Sequence, residues 1–110
     1  PAMVSFEGAN PRHEHEWTVF EDVKLPDGKC LVPGVIDSTT NFIEHPELVA
    51  QRIARYADVV GRENVVAGVD CGFATFAGAP TVVPTIAWAK LGALAEGARI
   101  ASTKLWARPT

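Results

Sequence analysis

The sequence predicts an α/β fold of about three parallel strands with flanking helices. Three observations carry that expectation. Short apolar runs rich in β-branched residues alternate with segments of helical pattern. The connections are short, which favours parallel strands joined by right-handed crossovers. The apolar runs are also continuous rather than alternating, as in strands covered on both faces.

Taken in order, Val4-Ser5-Phe6 reads as a short strand, closed by Glu7. The stretch from Glu7 to Gly28 is polar and acidic, with a turn at Pro26-Asp27-Gly28 and a brief helix expected from Glu14 to Phe20. Cys30 to Ile36 reads as a buried strand. Its Pro33-Gly34 pair predicts a bulge or a close backbone approach. A polar loop, Asp37-Ser38-Thr39-Thr40-Asn41, follows directly.

The next helix is well punctuated. Pro46 suits a first turn, where its missing N–H costs nothing, and Glu47 suits the positive end of the helix dipole. Val49, Ile53, Tyr56 and Val60 form one apolar stripe, Arg52 and Arg55 are expected on the solvated side, and Gly61 is the stop. Val65 to Val69 reads as another continuous apolar strand, running into Asp70-Cys71-Gly72-Phe73. A turn-rich loop over 72–84 leads to a long helix from about Thr85 to Trp106. That helix is rich in alanine and glycine, with Leu91, Leu94 and Leu105 for bulk. Gly92 and Gly97 each cost about 1 kcal/mol relative to alanine in a helix interior, so both are expected to serve close packing. Trp17, Trp88 and Trp106 read as packing residues.

At 110 residues the chain is a single segment, 1–110, of one domain. A complete eight-stranded α/β barrel needs roughly 250 residues, so the inventory corresponds to a partial (β/α)8 barrel, less than half of one. Pro1-Ala2 leads almost directly into a strand, which suggests a piece of something larger. The net charge of −3 offers no basic footprint for nucleic acid. No apolar run reaches the ~18 residues of a membrane span, and no signal-peptide pattern opens the chain. Two cysteines are too few for a disulfide framework, and the expected compartment is the cytoplasm. Three parallel strands leave two unpaired edges, so a homo-oligomer or an upstream barrel fragment is the expected partner.

Candidate chemistry gathers at strand ends, where parallel α/β folds place it. Cys71 is presented where a strand gives way to a loop; a cysteine of this kind serves equally as a small buried hydrophobe. Glu7 is either a solvated strand-end carboxylate or an oxygen ligand. A thiolate and a carboxylate on one rim make half of a zinc site. Asp37 suits an acid, a hydrogen-bond acceptor for substrate, or an Asx-type turn former. His13 and His15 stand two apart, not four as in a zinc-binding helix, and read as a surface polar cluster, with an independent metal site as the alternative. Cys30 precedes its strand and falls at the opposite rim. The glycines of 72–78 lack a phosphate-loop lysine.

Three motifs occur in order: Glu7-Gly8-Ala9-Asn10-Pro11-Arg12-His13-Glu14-His15-Glu16-Trp17, Pro33-Gly34-Val35-Ile36-Asp37 and Asp70-Cys71-Gly72-Phe73. Together they resemble the C-terminal part of the cobalamin-independent methionine synthase catalytic domain. The resemblance is closer to the methionine synthase II-like proteins, a group that includes epoxyalkane:coenzyme M transferases, and runs from about Val4 to Trp106. It implies a (β/α)8 barrel and zinc held by a His-x-Cys pair, a glutamate and a later cysteine. Glu7 matches the glutamate and Cys71 the later cysteine; the His-x-Cys pair has no match in this chain. The implied reaction is methyl or alkyl transfer to a thiol, with Asp37 contacting the thiol substrate's amino group or a neighbouring polar atom. Thr39 stands where the folate-dependent synthases carry a histidine, and a hydroxyl is a poor general acid at neutral pH. That departure from the family pattern counts against methyl-folate and raises the standing of another alkyl donor, leaving both open, and the chain alone is not expected to be competent.

Overall fold

The computed structural model describes residues 3–10, 12–38, 40, 42–70, 74–76, 79–80 and 84–107. Strands β1 (Met3–Phe6), β2 (Cys30–Ile36) and β3 (Gly68–Val69) form one sheet in the order β1-β2-β3, with both pairings parallel. Helix α1 (Val19–Asp22), preceded by a 3-10 turn at Glu14–Thr18, lies on the crossover from β1 to β2. Helix α2 (Pro46–Val60) makes the crossover to β3, and α3 (Pro84–Leu105) packs along α2. The expected α/β class, three parallel strands with flanking helices, is the one observed.

Central β2 carries the most sheltered run, and its Pro33-Gly34 pair explains the shape of the sheet. Met3 to Phe6 pair in register with Cys30 to Pro33. On the other side, Leu31 bridges Val65 and the Val66 N–H reaches the Leu31 carbonyl at 2.9 Å. The next rung of a parallel ladder would need an N–H from residue 33, which is proline. Pairing resumes only at Gly34 with Gly68, then shifts register to Ile36 with Val69, two residues against one. The five-residue strand expected over 65–69 is therefore a bridge at Val65 followed by a two-residue β3.

Helix α2 begins and ends where its sequence signals stand. His45 is the N-cap, its ring nitrogen accepting from the Glu47 N–H at 3.0 Å, Pro46 opens the first turn, and Gly61 leaves it at φ 97°. Val35, Ile36, Val49, Ala50, Ile53, Ala93 and Ala101 form the core between sheet and helices. Gly97 allows the α2–α3 approach: a Cβ there would meet the Val49 side chain at 2.4 Å and the Pro46 carbonyl at 2.9 Å. Phe6, Phe20 and Tyr56 stack with centroids 5.7–6.4 Å apart and fasten β1 and α1 to α2.

Several sequence expectations are corrected. Arg52 is buried, not solvated. Gly92 would find nothing within 4 Å of an added Cβ, and Trp88 is 74% exposed. Both stand two residues from Lys90, on the side of α3 turned away from the buried face of Lys90, Ala93, Gly97 and Ala101. Trp106 is also exposed, with the Arg62 guanidinium 4.0 Å over its ring. The loop expected over 72–84 contains a short antiparallel pairing of β4 (Ala74–Phe76) with β5 (Ala79–Pro80). In edge strand β1 Met3 and Val4 are exposed, so its apolar run is not covered on both faces.

Candidate functional site

Three carboxylates follow the three parallel strands at their C-terminal ends: Glu7 after β1, Asp37 after β2 and Asp70 after β3. Each is held differently.

Asp70 turns inward and ties the outer two exits together across β2. Its Oδ1 accepts from the Gly8 and Ala9 N–H groups, both at 2.9 Å, and its Oδ2 accepts from Asn10 Nδ2 at 3.0 Å. Two successive backbone donors converging on one carboxylate oxygen give charge-assisted bonds of the stronger kind. The bridge crosses directly over Gly34, where a Cβ would lie 2.0 Å from Asp70 Oδ1 and 2.7 Å from its Cα. Only glycine fits there, which is the close backbone approach the sequence predicts. Asn10 extends the arrangement, its Oδ1 accepting from the Arg12 and His13 N–H groups at 3.1 and 3.2 Å.

Glu7 is the open member. Its side chain is 38% exposed, with Asn10 Nδ2 at 3.4 Å and His13 Nε2 at 3.6 Å. His13 is in turn bonded through Nδ1 to Glu16 at 2.7 Å. The expected polar cluster around His13 is thus observed, and it touches Glu7. His15 lines a separate surface groove with Glu14, Trp17 and Arg55.

Asp37 is the closed member. Its N–H donates to Glu44 Oε2 at 2.7 Å, and its Oδ2 accepts from Thr40 Oγ1 at 3.2 Å, a contact that fits the turn-forming role. Glu44 is itself buried and pairs through Oε1 with Lys90 Nζ at 2.8 Å. Lys90 is 0% exposed. Arg52 completes the group: Nη1 lies 3.8 Å from Glu44 and donates to the Val35 carbonyl at 3.1 Å, while Nη2 lies 3.6 Å from Glu14. Beneath the Gly8 turn, Tyr56 buries a hydroxyl with no hydrogen-bond partner among the described residues. Burial pushes it up to about 12, partly offset by Arg55 and reinforced by Glu16 and Asp70.

Of the residues expected to form a site, Glu7 and Asp37 thus stand at the ends of neighbouring parallel strands. Cys71, with Thr39, lies outside the described residues, so the shared mouth expected for Glu7 and Cys71 is neither seen nor excluded. Cys30 opens β2 at the opposite end. Among the described residues no group of three or more His, Cys, Asp or Glu side chains is placed to hold a metal ion. The chemistry of the expected donor pair, a carboxylate and a thiol, suits zinc. No helix among the described residues is long and apolar enough to cross a membrane.

Sequence reasoning missed Glu44, Lys90 and Asp70. For Lys90, and for the misplaced Arg52, the available signal was helical register. Lys90 precedes Ala93, Gly97 and Ala101 by three, seven and eleven residues, and Arg52 stands three after Val49 and four before Tyr56, so both lie on apolar stripes.

No protein-family model matches the chain, and no curated protein matches it. Among solved structures, a B12-independent methionine synthase from Shewanella sp. W3-18-1, in complex with selenomethionine, is similar in fold. Its TM-score is 0.76 at 24% identity, covering 96% of this chain and 28% of that one. The likeness establishes a shared α/β fold over almost all of this chain, which spans little more than a quarter of that enzyme.

Proposed function

We propose that this chain supplies part of a zinc-dependent site for methyl or alkyl transfer to a thiol of the homocysteine type, with Glu7 and Cys71 as two of the metal ligands. The observation that carries the reading is the Asp70 bridge, which ties the backbone just after Glu7 to the residue just before Cys71. The fold shared with a B12-independent methionine synthase supports it. Zinc held there would supply the acidity that keeps a substrate thiol, of pKa near 8.5 when free, as its nucleophilic thiolate. Glu7, with its side chain 38% exposed at the β1 exit, would offer a carboxylate oxygen to the cation. Asp37 accepts a hydrogen bond from the substrate's amino group. Two ligands hold zinc weakly, and the chain alone is expected to be inactive. Calorimetric titration with zinc checks this: binding should be weaker than micromolar and should fall further in Glu7→Gln and Cys71→Ser. Micromolar or tighter one-to-one binding that survives Cys71→Ser would defeat the assignment.

A non-catalytic assembly role is the second reading, favoured by the exposed apolar edge of β1, where Met3 is 50% and Val4 43% exposed. That edge suits another strand, from a second copy or an upstream barrel fragment. Sedimentation at micromolar concentration decides it; a monomer with a sharp thermal transition removes this reading.

A further inference from the structure

We propose that Glu44 is a positioning residue, whose carboxylate, clamped by Lys90, fixes the Asp37 peptide at the β2 exit; its bearing on thiol binding rests on the role given to Asp37 above. The two oxygens of Glu44 are divided between two tasks. Oε1 meets Lys90 of α3 at 2.8 Å, and Oε2 receives the Asp37 N–H at 2.7 Å. Arg52 of α2 adds a second cation at 3.8 Å and binds the Val35 carbonyl two residues before Asp37. The peptide leading into Asp37 is thereby tied to both core helices through charged groups that are nearly or wholly out of solvent.

Stability does not account for that arrangement. Removing a carboxylate and an ammonium from water carries a large desolvation penalty, and well-packed apolar residues of similar volume are commonly as stabilising or more so. An apolar pair at 44 and 90 would fill the space between α3 and the loop. It would leave the Asp37 N–H without its acceptor. What the ionic pair adds is direction: Lys90 fixes the carboxylate, and the carboxylate fixes the peptide. A charge-assisted bond of this kind is stronger and more directional than a neutral one.

The test is amide hydrogen exchange by NMR on the full 110-residue chain, reading Asp37 against Val49 and Ile53 in α2 as internal reporters of opening. In Glu44→Ala the Asp37 amide should exchange about tenfold faster or more relative to those reporters, the scale of a lost hydrogen bond to a charged group. Glu44→Gln keeps an acceptor oxygen and should retain most of the protection. The decisive variant is Glu44→Leu with Lys90→Met. Its denaturation midpoint should return to the wild-type value or above it, while the Asp37 amide stays fast. Asp37 protection that recovers together with global stability would reduce Glu44 to a structural role and overturn the proposal, as would unchanged protection in Glu44→Ala. Zinc titration of the same variants separates the two readings. Loss of the zinc site from the wild-type chain would strike the transferase reading and leave the exchange result intact.

Discussion

At the exit of β2 Asp37 is buried and its N–H is bound by the buried Glu44, whereas one strand over, at the exit of β1, the Glu7 side chain is 38% exposed, with Asn10 Nδ2 at 3.4 Å and His13 Nε2 at 3.6 Å. The two loops share a sheet and neighbouring strands, so the difference comes from what packs behind them. Helices α2 and α3 both cover β2 and deliver Arg52 and Lys90 to its exit. Edge strand β1 has the rings of Phe20 and Tyr56 against its last residue. A loop backed on both sides can be locked in advance of any ligand; a loop at an edge leaves its side chain nearer to solvent.

The largest effect is expected from breaking the locked side. Lys90→Met alone removes the nearer of the two cations on the buried Glu44 carboxylate, leaving Arg52 at 3.8 Å, and should cost about 3 kcal/mol, the low end of the range for breaking a buried pair, in urea denaturation. Glu7→Gln on the open side removes a partly solvated charge and should cost under about 1 kcal/mol. Comparable losses in the two variants would erase the contrast. Next comes the bridge between the exits. Gly34→Ala forces a methyl group onto Asp70 and should cost about 1–3 kcal/mol or slightly more. It should also release the Gly8 and Ala9 amides to exchange. Gly92→Ala, by contrast, meets open space on the outer side of α3 and should stabilise by about 0.4–1 kcal/mol, while Gly97→Ala collides with Val49 and should destabilise. Equal effects of the two alanines would show that α3 does not present these faces as described.

The lesson for reading the sequence lies in the same residues. Pro46, Gly61 and the Val49-Ile53-Tyr56 stripe announced α2, and Pro33-Gly34 announced a bulge or a close backbone approach, because backbone constraints of this kind are local. The pair did not announce that both would occur or that Asp70 would be the neighbour. Glu44, Arg52 and Lys90 were illegible for the opposite reason. Charge argued for solvent, although their helical positions placed Arg52 and Lys90 on buried stripes, and only tertiary pairing resolves that conflict. Trp88 misled in the converse way, since its type argued for a core and its register for the surface. Glu7 and Asp37 could be placed at strand ends from the alternation of elements. That one is open and the other closed depends on which helices back each exit, and no spacing within either loop records it.

The smallest effect sharpens the comparison at the boundary between the two exits, where the Tyr56 hydroxyl lies beneath Gly8. An added Cβ at Gly8 would stand 3.0 Å from that oxygen. Since the hydroxyl has no partner among the described residues, Tyr56→Phe should be neutral or stabilising by up to about 1 kcal/mol at pH 7. The alkaline limb supplies the signature. Folded, Tyr56 keeps its proton to about pH 12, because burial disfavours the phenolate; unfolded, it releases it near pH 10. Between those values the native state binds more protons than the unfolded state, so stability is whole below pH 10 and falls as pH rises, by at most about 1.4 kcal/mol per unit. Any other group that changes charge in this window does so in wild type and variant alike, so it cancels in the difference. Urea denaturation of both proteins from pH 9 to pH 11.5 should show the wild type losing stability faster than Tyr56→Phe. Parallel curves would mean that the hydroxyl reaches water, and the floor of the β1 exit would then be as open as its rim.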